Sequence, residues 1–165
     1  MQEEFPQAKI QSAITLFSNG QIQEALVDIE TLINDYPYQP LLFNISGAFY
    51  KELGKLDEAV KRFEKALAIK PDYAEAHNNL GVTLKDLGQL DAAVKSYENA
   101  LAIEPDYAEA HNNLGITFHE LGQLDKAVKS YEKLFDIEPD YPQAHYNLGN
   151  TLRGLGQLDA AVKRY

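Results

Sequence analysis

"PDYAEAHNNLG" occupies residues 71–81, and the same letters return at 105–115. A near copy, "PDYPQAHYNLG", follows at 139–149. The interval is 34 residues, and 74–107 matches 108–141 at 25 of 34 positions without a gap. Self-similarity at a fixed period means a repeat architecture, in which each unit buries its apolar face only against its neighbours. Extending the frame gives repeats at 6–39, 40–73, 74–107 and 108–141 and a partial one at 142–165, read as a single array over 1–165. The partial copy stops at Tyr165, which aligns with Tyr97 and Tyr131.

Each repeat reads as two helices. In the third, Asp72 and Glu75 have capping-box spacing, which predicts a first helix starting near Ala74. Ala76, Leu80, Gly81, Leu84 and Leu87 recur at helical spacing, and Gly88 supplies a left-handed end. "QLD" at 89–91 opens the second helix, whose apolar face holds Leu90, Ala93, Val94, Tyr97, Ala100, Leu101 and Ile103. Pro105 then breaks the chain. Gly47, Gly81, Gly115 and Gly149 fall mid-helix, where glycine costs about 1 kcal/mol against alanine. Close helix contact is the expected compensation, with Ala59, Ala93, Ala127 and Ala161 facing the glycines.

The bulk numbers suit a folded helical chain. Hydrophobic residues make up 45% of 165, enough to bury a core. No apolar run approaches membrane-spanning length, and the start "MQEEFPQAK" lacks the basic and apolar parts of a signal peptide, so a cytoplasmic location is expected. Without cysteine there is neither a disulfide nor a thiolate-ligated zinc. A net charge of −10 disfavours nucleic acid and anionic membranes as partners.

These units resemble the tetratricopeptide repeat over residues 6–165. That family's signature is a large aromatic, Leu-Gly, a tyrosine, an alanine, an aromatic, an alanine and a proline. In the third repeat the slots hold His77, Leu80-Gly81, Leu84, Ala93, Tyr97, Ala100 and Pro105; in the fourth, His111, Leu114-Gly115, Phe118, Ala127, Tyr131, Leu134 and Pro139. The second repeat carries Phe43, Ser46-Gly47, Tyr50, Ala59, Phe63, Ala66 and Pro71. The first is weaker, with Lys9 and Ser12-Ala13 in the leading slots. The resemblance implies an all-α fold, a right-handed α-solenoid of antiparallel helix pairs whose first helices line a concave groove.

It also implies which positions face that groove. In the third repeat these are Glu75, Asn78, Asn79, Val82, Lys85 and Asp86; in the fourth, Glu109, Asn112, Asn113, Ile116, His119 and Glu120. The last gives Gln143, Tyr146, Asn147, Asn150, Arg153 and Gly154. Asn79, Asn113 and Asn147 would form a ladder of amides, each able to donate and accept, as an extended peptide backbone requires. The array is similar to those of the O-linked N-acetylglucosamine transferases. The lysines of the family's carboxylate-clamp modules are missing, since the fifth positions are Ile10, Asn44, Asn78, Asn112 and Tyr146. Toward the N-terminus the groove positions turn apolar, at Ile10, Ile14, Phe17, Leu41 and Ile45, and read as a docking or packing surface.

His77, His111 and His145 invite a metal reading, but repeats stack roughly 8–10 Å apart, too far for one ion to join two of them. They are read as packed rings, and neither metal nor cofactor is expected. No nucleophile–base pair or phosphate-binding loop is present, and "GLGQL" at 154–158 reads as a helix end and turn. Charge is uneven: repeats 74–107 and 108–141 are acidic, while 142–165 is basic. The expected function is therefore a non-enzymatic scaffold binding an extended peptide. The candidate contacts are Asn78, Asn79, Val82, Lys85, Asn112, Asn113, Ile116, His119, Tyr146, Asn147, Asn150 and Arg153. Two alternatives stand beside it: a subunit that assembles head to tail into a homo-oligomer, and the substrate-guiding segment of a larger bacterial transferase.

Overall fold

A computed structural model describes residues 6–163, and of Val162 the backbone alone. Tyr165, on which the alignment of the partial repeat ends, lies outside these residues. Among them are ten helices and no strand. They are α1 (Gln7–Ser18), α2 (Ile22–Asp35), α3 (Pro40–Glu52), α4 (Leu56–Ile69), α5 (Ala74–Asp86), α6 (Leu90–Ile103), α7 (Ala108–Glu120), α8 (Leu124–Ile137), α9 (Pro142–Gly154) and α10 (Leu158–Val162). The chain divides into two compact units, 1–83 and 84–165.

The turn inside each repeat follows from its glycine. Gly88 has φ +75°, its N–H bonds the Lys85 carbonyl at 2.8 Å, and the Gln89 N–H reaches back to Leu84 at 2.9 Å. This pair of bonds satisfies two carbonyls of the helix end, and only glycine adopts the angle without strain. α5 begins at Ala74 as the spacing predicts, but Glu75 accepts a hydrogen bond from Asn44. The equivalent helix α7 starts after Tyr107 with no side-chain cap at all.

In the first unit α1 packs on α2, α2 on α3 and α3 on α4. The apolar N-terminal positions turn inward here: Ile10 is buried, Ile14, Phe17 and Ile45 pack against the core, and Phe17 stacks on Phe49 at 4.4 Å. Only Leu41 stays exposed. A polar tie crosses three helices, where Glu30 accepts from Ser46 Oγ at 2.6 Å and from Arg62 Nη2 at 2.7 Å. In the second unit α6 packs on α7, α7 on α8, α8 on α9 and α9 on α10, and α7 also meets α9.

At Gly47 and Gly115 the nearest side chain across the contact is an aromatic ring, not an alanine. A Cβ on Gly47 would lie 2.6 Å from the Phe63 ring, and one on Gly115 would lie 2.7 Å from the Tyr131 ring. The aromatic slot of the second helix therefore rests on the first helix's backbone, while Ala59 and Ala127 are buried without being the nearest neighbours.

Candidate functional site

The histidines hold the repeat junctions. His77, His111 and His145 place Nε2 at 3.0, 2.9 and 2.9 Å from the carbonyl oxygens of Pro71, Pro105 and Pro139. A carbonyl can only accept, so each ring carries its proton on Nε2 when neutral. The bond spans the turn between one repeat's second helix and the next repeat's first. His145 also stacks on Phe135 at 4.1 Å. Each ring thus commits Nε2 to its own junction, and His77 Nδ1 is buried with no hydrogen-bond partner among the described residues. Among the described residues no three His, Asp or Glu side chains gather as a metal site requires.

In the first unit the asparagines bond to one another. Asn44, buried in α3, donates to Glu75 Oε1 at 2.9 Å and to the Tyr73 hydroxyl at 3.4 Å, and accepts from Asn79 Nδ2 at 3.0 Å. This corrects the expectation for the fifth position of the repeat. In α3 that position, Asn44, is turned toward the start of the next first helix, α5. Asn78 is 0% exposed and Asn112 7%, whereas Tyr146, at the same position of α9, is exposed. Asn79 remains half-buried, with one amide hydrogen committed to Asn44. Val82 is half-buried beside it in sequence. Burial foremost, and then the Glu75 carboxylate, push the Tyr73 phenol up to about 12.

In the second unit the expected groove positions come together on α7 and α9. Ile116, His119 and Glu120 from α7 and Asn147 and Asn150 from α9 line one open cleft of about 120 Å³, with Tyr131 of α8 as a further wall. His119 Nδ1 sits 2.9 Å from Thr151 Oγ1, and that hydroxyl donates to the Asn147 carbonyl at 2.8 Å. Gln143 Nε2 donates to Asn147 Oδ1 at 3.2 Å. Lys85 lies 3.6 Å from Asp86, Asn113 is half-buried, and Tyr146 and Arg153 are exposed on α9 outside the cleft lining.

Two contributors escaped the sequence reading. Tyr131 occupies a packing slot by its spacing and is buried, yet it also borders the cleft. Thr151 falls between groove positions and acts through His119. Burial, then the Glu120 charge, holds the Tyr131 phenol neutral far above the ordinary range. Tyr97 is raised likewise, by burial first; Thr117 opposes the shift, and the carboxylates of Asp86, Glu120 and Glu109 add to it. Its hydroxyl has no well-formed hydrogen bond among the described residues.

The chain belongs to the tetratricopeptide repeat family, whose TPR repeat profile matches residues 47–88, 83–122 and 117–156. Its fold class is all-α, helix pairs in 34-residue repeats, and such a fold is a protein-interaction scaffold. Among solved structures, the crystal structure of MamA matches with a TM-score of 0.85 and 26% identity, over 92% of this chain and 89% of that one. YrrB, described as a TPR protein with an unusual peptide-binding site, matches at 0.77 and 23%, over 94% and 80%. PilF of Pseudomonas aeruginosa matches at 0.89 and 19%, over 96% and 72%. The last two likenesses concern the fold alone. No curated protein sequence matches the chain. Among the described residues no helix is long and apolar enough to cross a membrane.

Proposed function

We propose that the chain is a non-catalytic scaffold that binds an extended segment of a protein partner, with the α7–α9 cleft of the second unit as the gripping point. One observation carries this reading: groove positions of two consecutive repeats, Ile116, His119 and Glu120 with Asn147 and Asn150, line a single open cleft. An apolar wall beside amides that donate and accept suits a peptide backbone flanked by a side chain. That YrrB is described as having a peptide-binding site agrees with such a use of the fold. Asn79 contributes less, because its amide is shared with Asn44.

The test is selection of peptides from a random-sequence display library on the full chain, followed by calorimetry. The selected peptides should bind the Asn147→Ala, Asn150→Ala double variant at least tenfold more weakly, about 1.4 kcal/mol. Equal affinity for the double variant sinks this placement of the site.

A further inference from the structure

We propose that the α7–α9 cleft selects a cationic side chain, a lysine ammonium or an arginine guanidinium, with His119 Nε2 and the Glu120 carboxylate as its acceptors. This rests on the peptide-scaffold reading above and names what that site prefers.

Proton placement is the first argument. Thr151 is fully buried, and its hydroxyl has a single proton, which goes to the Asn147 carbonyl at 2.8 Å. The same oxygen lies 2.9 Å from His119 Nδ1. With its own proton committed, it must accept one from the ring, so neutral His119 is the Nδ1–H tautomer. Its Nε2 is then a lone pair. His77, His111 and His145 have the opposite tautomer, with Nε2 donating to a carbonyl. No described residue donates to His119 Nε2, so the ring calls for a donor from outside.

Glu120 supplies the second argument. It lines the same cleft and forms no hydrogen bond or ion pair with a described residue. Its charge is felt at the cleft wall, where it adds to burial in keeping the Tyr131 phenol neutral. The surrounding repeat has seven carboxylates against Lys126, Lys129 and Lys133, a field that favours a cation. Ile116, half-buried on the cleft lining, gives the methylene stem of lysine or arginine an apolar surface. A segment presenting only carbonyls would set acceptor against acceptor. A neutral amide would satisfy the imidazole and leave the carboxylate's charge unanswered. The cleft, about 120 Å³, is of side-chain size, well below the roughly 300 Å³ and upward of a drug-sized site.

The experiment is nitrogen and amide NMR on the full chain. The probes are Nα-acetyl-arginine methylamide and Nα-acetyl-lysine methylamide, with the citrulline and norleucine analogues as neutral counterparts. Before any probe is added, the imidazole nitrogen shifts should show His119 alone with a bare Nε2. The cationic probes should then shift the amides of Ile116, His119, Glu120, Asn147 and Asn150, binding at least tenfold more tightly than the neutral ones. Glu120→Gln, at an exposed site, should bring that ratio close to one, and added salt should shrink it in the native chain. A protonated Nε2 on neutral His119, equal binding of neutral probes, an unchanged ratio in Glu120→Gln, or silence toward both cations at their solubility limit overturns the proposal. Each of those results leaves the scaffold reading standing. That reading falls instead if display-selected peptides leave the cleft amides unmoved.

Discussion

At Gly115 one methyl group sets two effects against each other. Alanine would gain about 1 kcal/mol of helix propensity. Its Cβ, however, would stand 2.7 Å from the ring of Tyr131, which is 1% exposed and held by the core. Overpacking of this kind costs about 1–3 kcal/mol. We expect Gly115→Ala to destabilise the fold by about 1 kcal/mol net, read as a lower urea midpoint; a raised midpoint would show that the ring can move aside. The sequence made the glycine legible as a close contact, because a helical glycine recurring every repeat needs compensation. It did not reveal the partner, since an aromatic and an alanine in the same second helix are equally periodic. The tautomer of His119 was hidden for a related reason. It depends on Thr151, 32 residues away, and spacing within one helix carries no trace of that meeting.

Helices were the most legible level. Their ends were marked by glycine and proline, whose backbone angles are local properties. The capping-box spacing located the start of α5, but not that Glu75 accepts from Asn44, a side chain 31 residues upstream. The same contact explains why the fifth position of α3 is buried. Asn44 joins α3 to α5 through Glu75, Tyr73 and Asn79 at once. Asn44→Ala should therefore cost about 1–3 kcal/mol, as three groups lose a shared partner. In a double-mutant cycle with Asn79→Ala the two losses should fall short of adding, because part of each is the same bond. Strict additivity, measured by chemical denaturation, would show that the amides act separately.

Across the molecule, buried phenols give a common response to alkali. Tyr73, Tyr97 and Tyr131 all hold their protons more tightly than the ordinary phenol, Tyr73 up to about 12. The unfolded chain releases these protons from about pH 10. The stability they contribute is thus complete below that pH and drains away as pH rises through the folded-state values. Phenolate absorbance of Tyr97 and Tyr131 should appear only as helicity is lost, and Tyr97→Phe should reduce the alkaline loss of stability. Tyrosinate forming ahead of unfolding would refute the burial argument. The fold class was open to reading from the 34-residue period, because a repeat states its own architecture many times over. The cleft was only half open to it: its lining residues on α7 and α9 were among the expected groove positions, but not which of them meet.

The histidine bonds to Pro71, Pro105 and Pro139 bear on how such a chain is cut and joined. The proline marks the repeat boundary in the sequence, yet a graft made there severs the bond that ties the junction. Splicing between Gly88 and Gln89 and again between Gly122 and Gln123 keeps α6, the Pro105 turn, His111 and α7 in one cassette. The transplantable module is offset by half a repeat from the one the alignment suggests, and chimaeras built on the offset boundaries should be the more stable set.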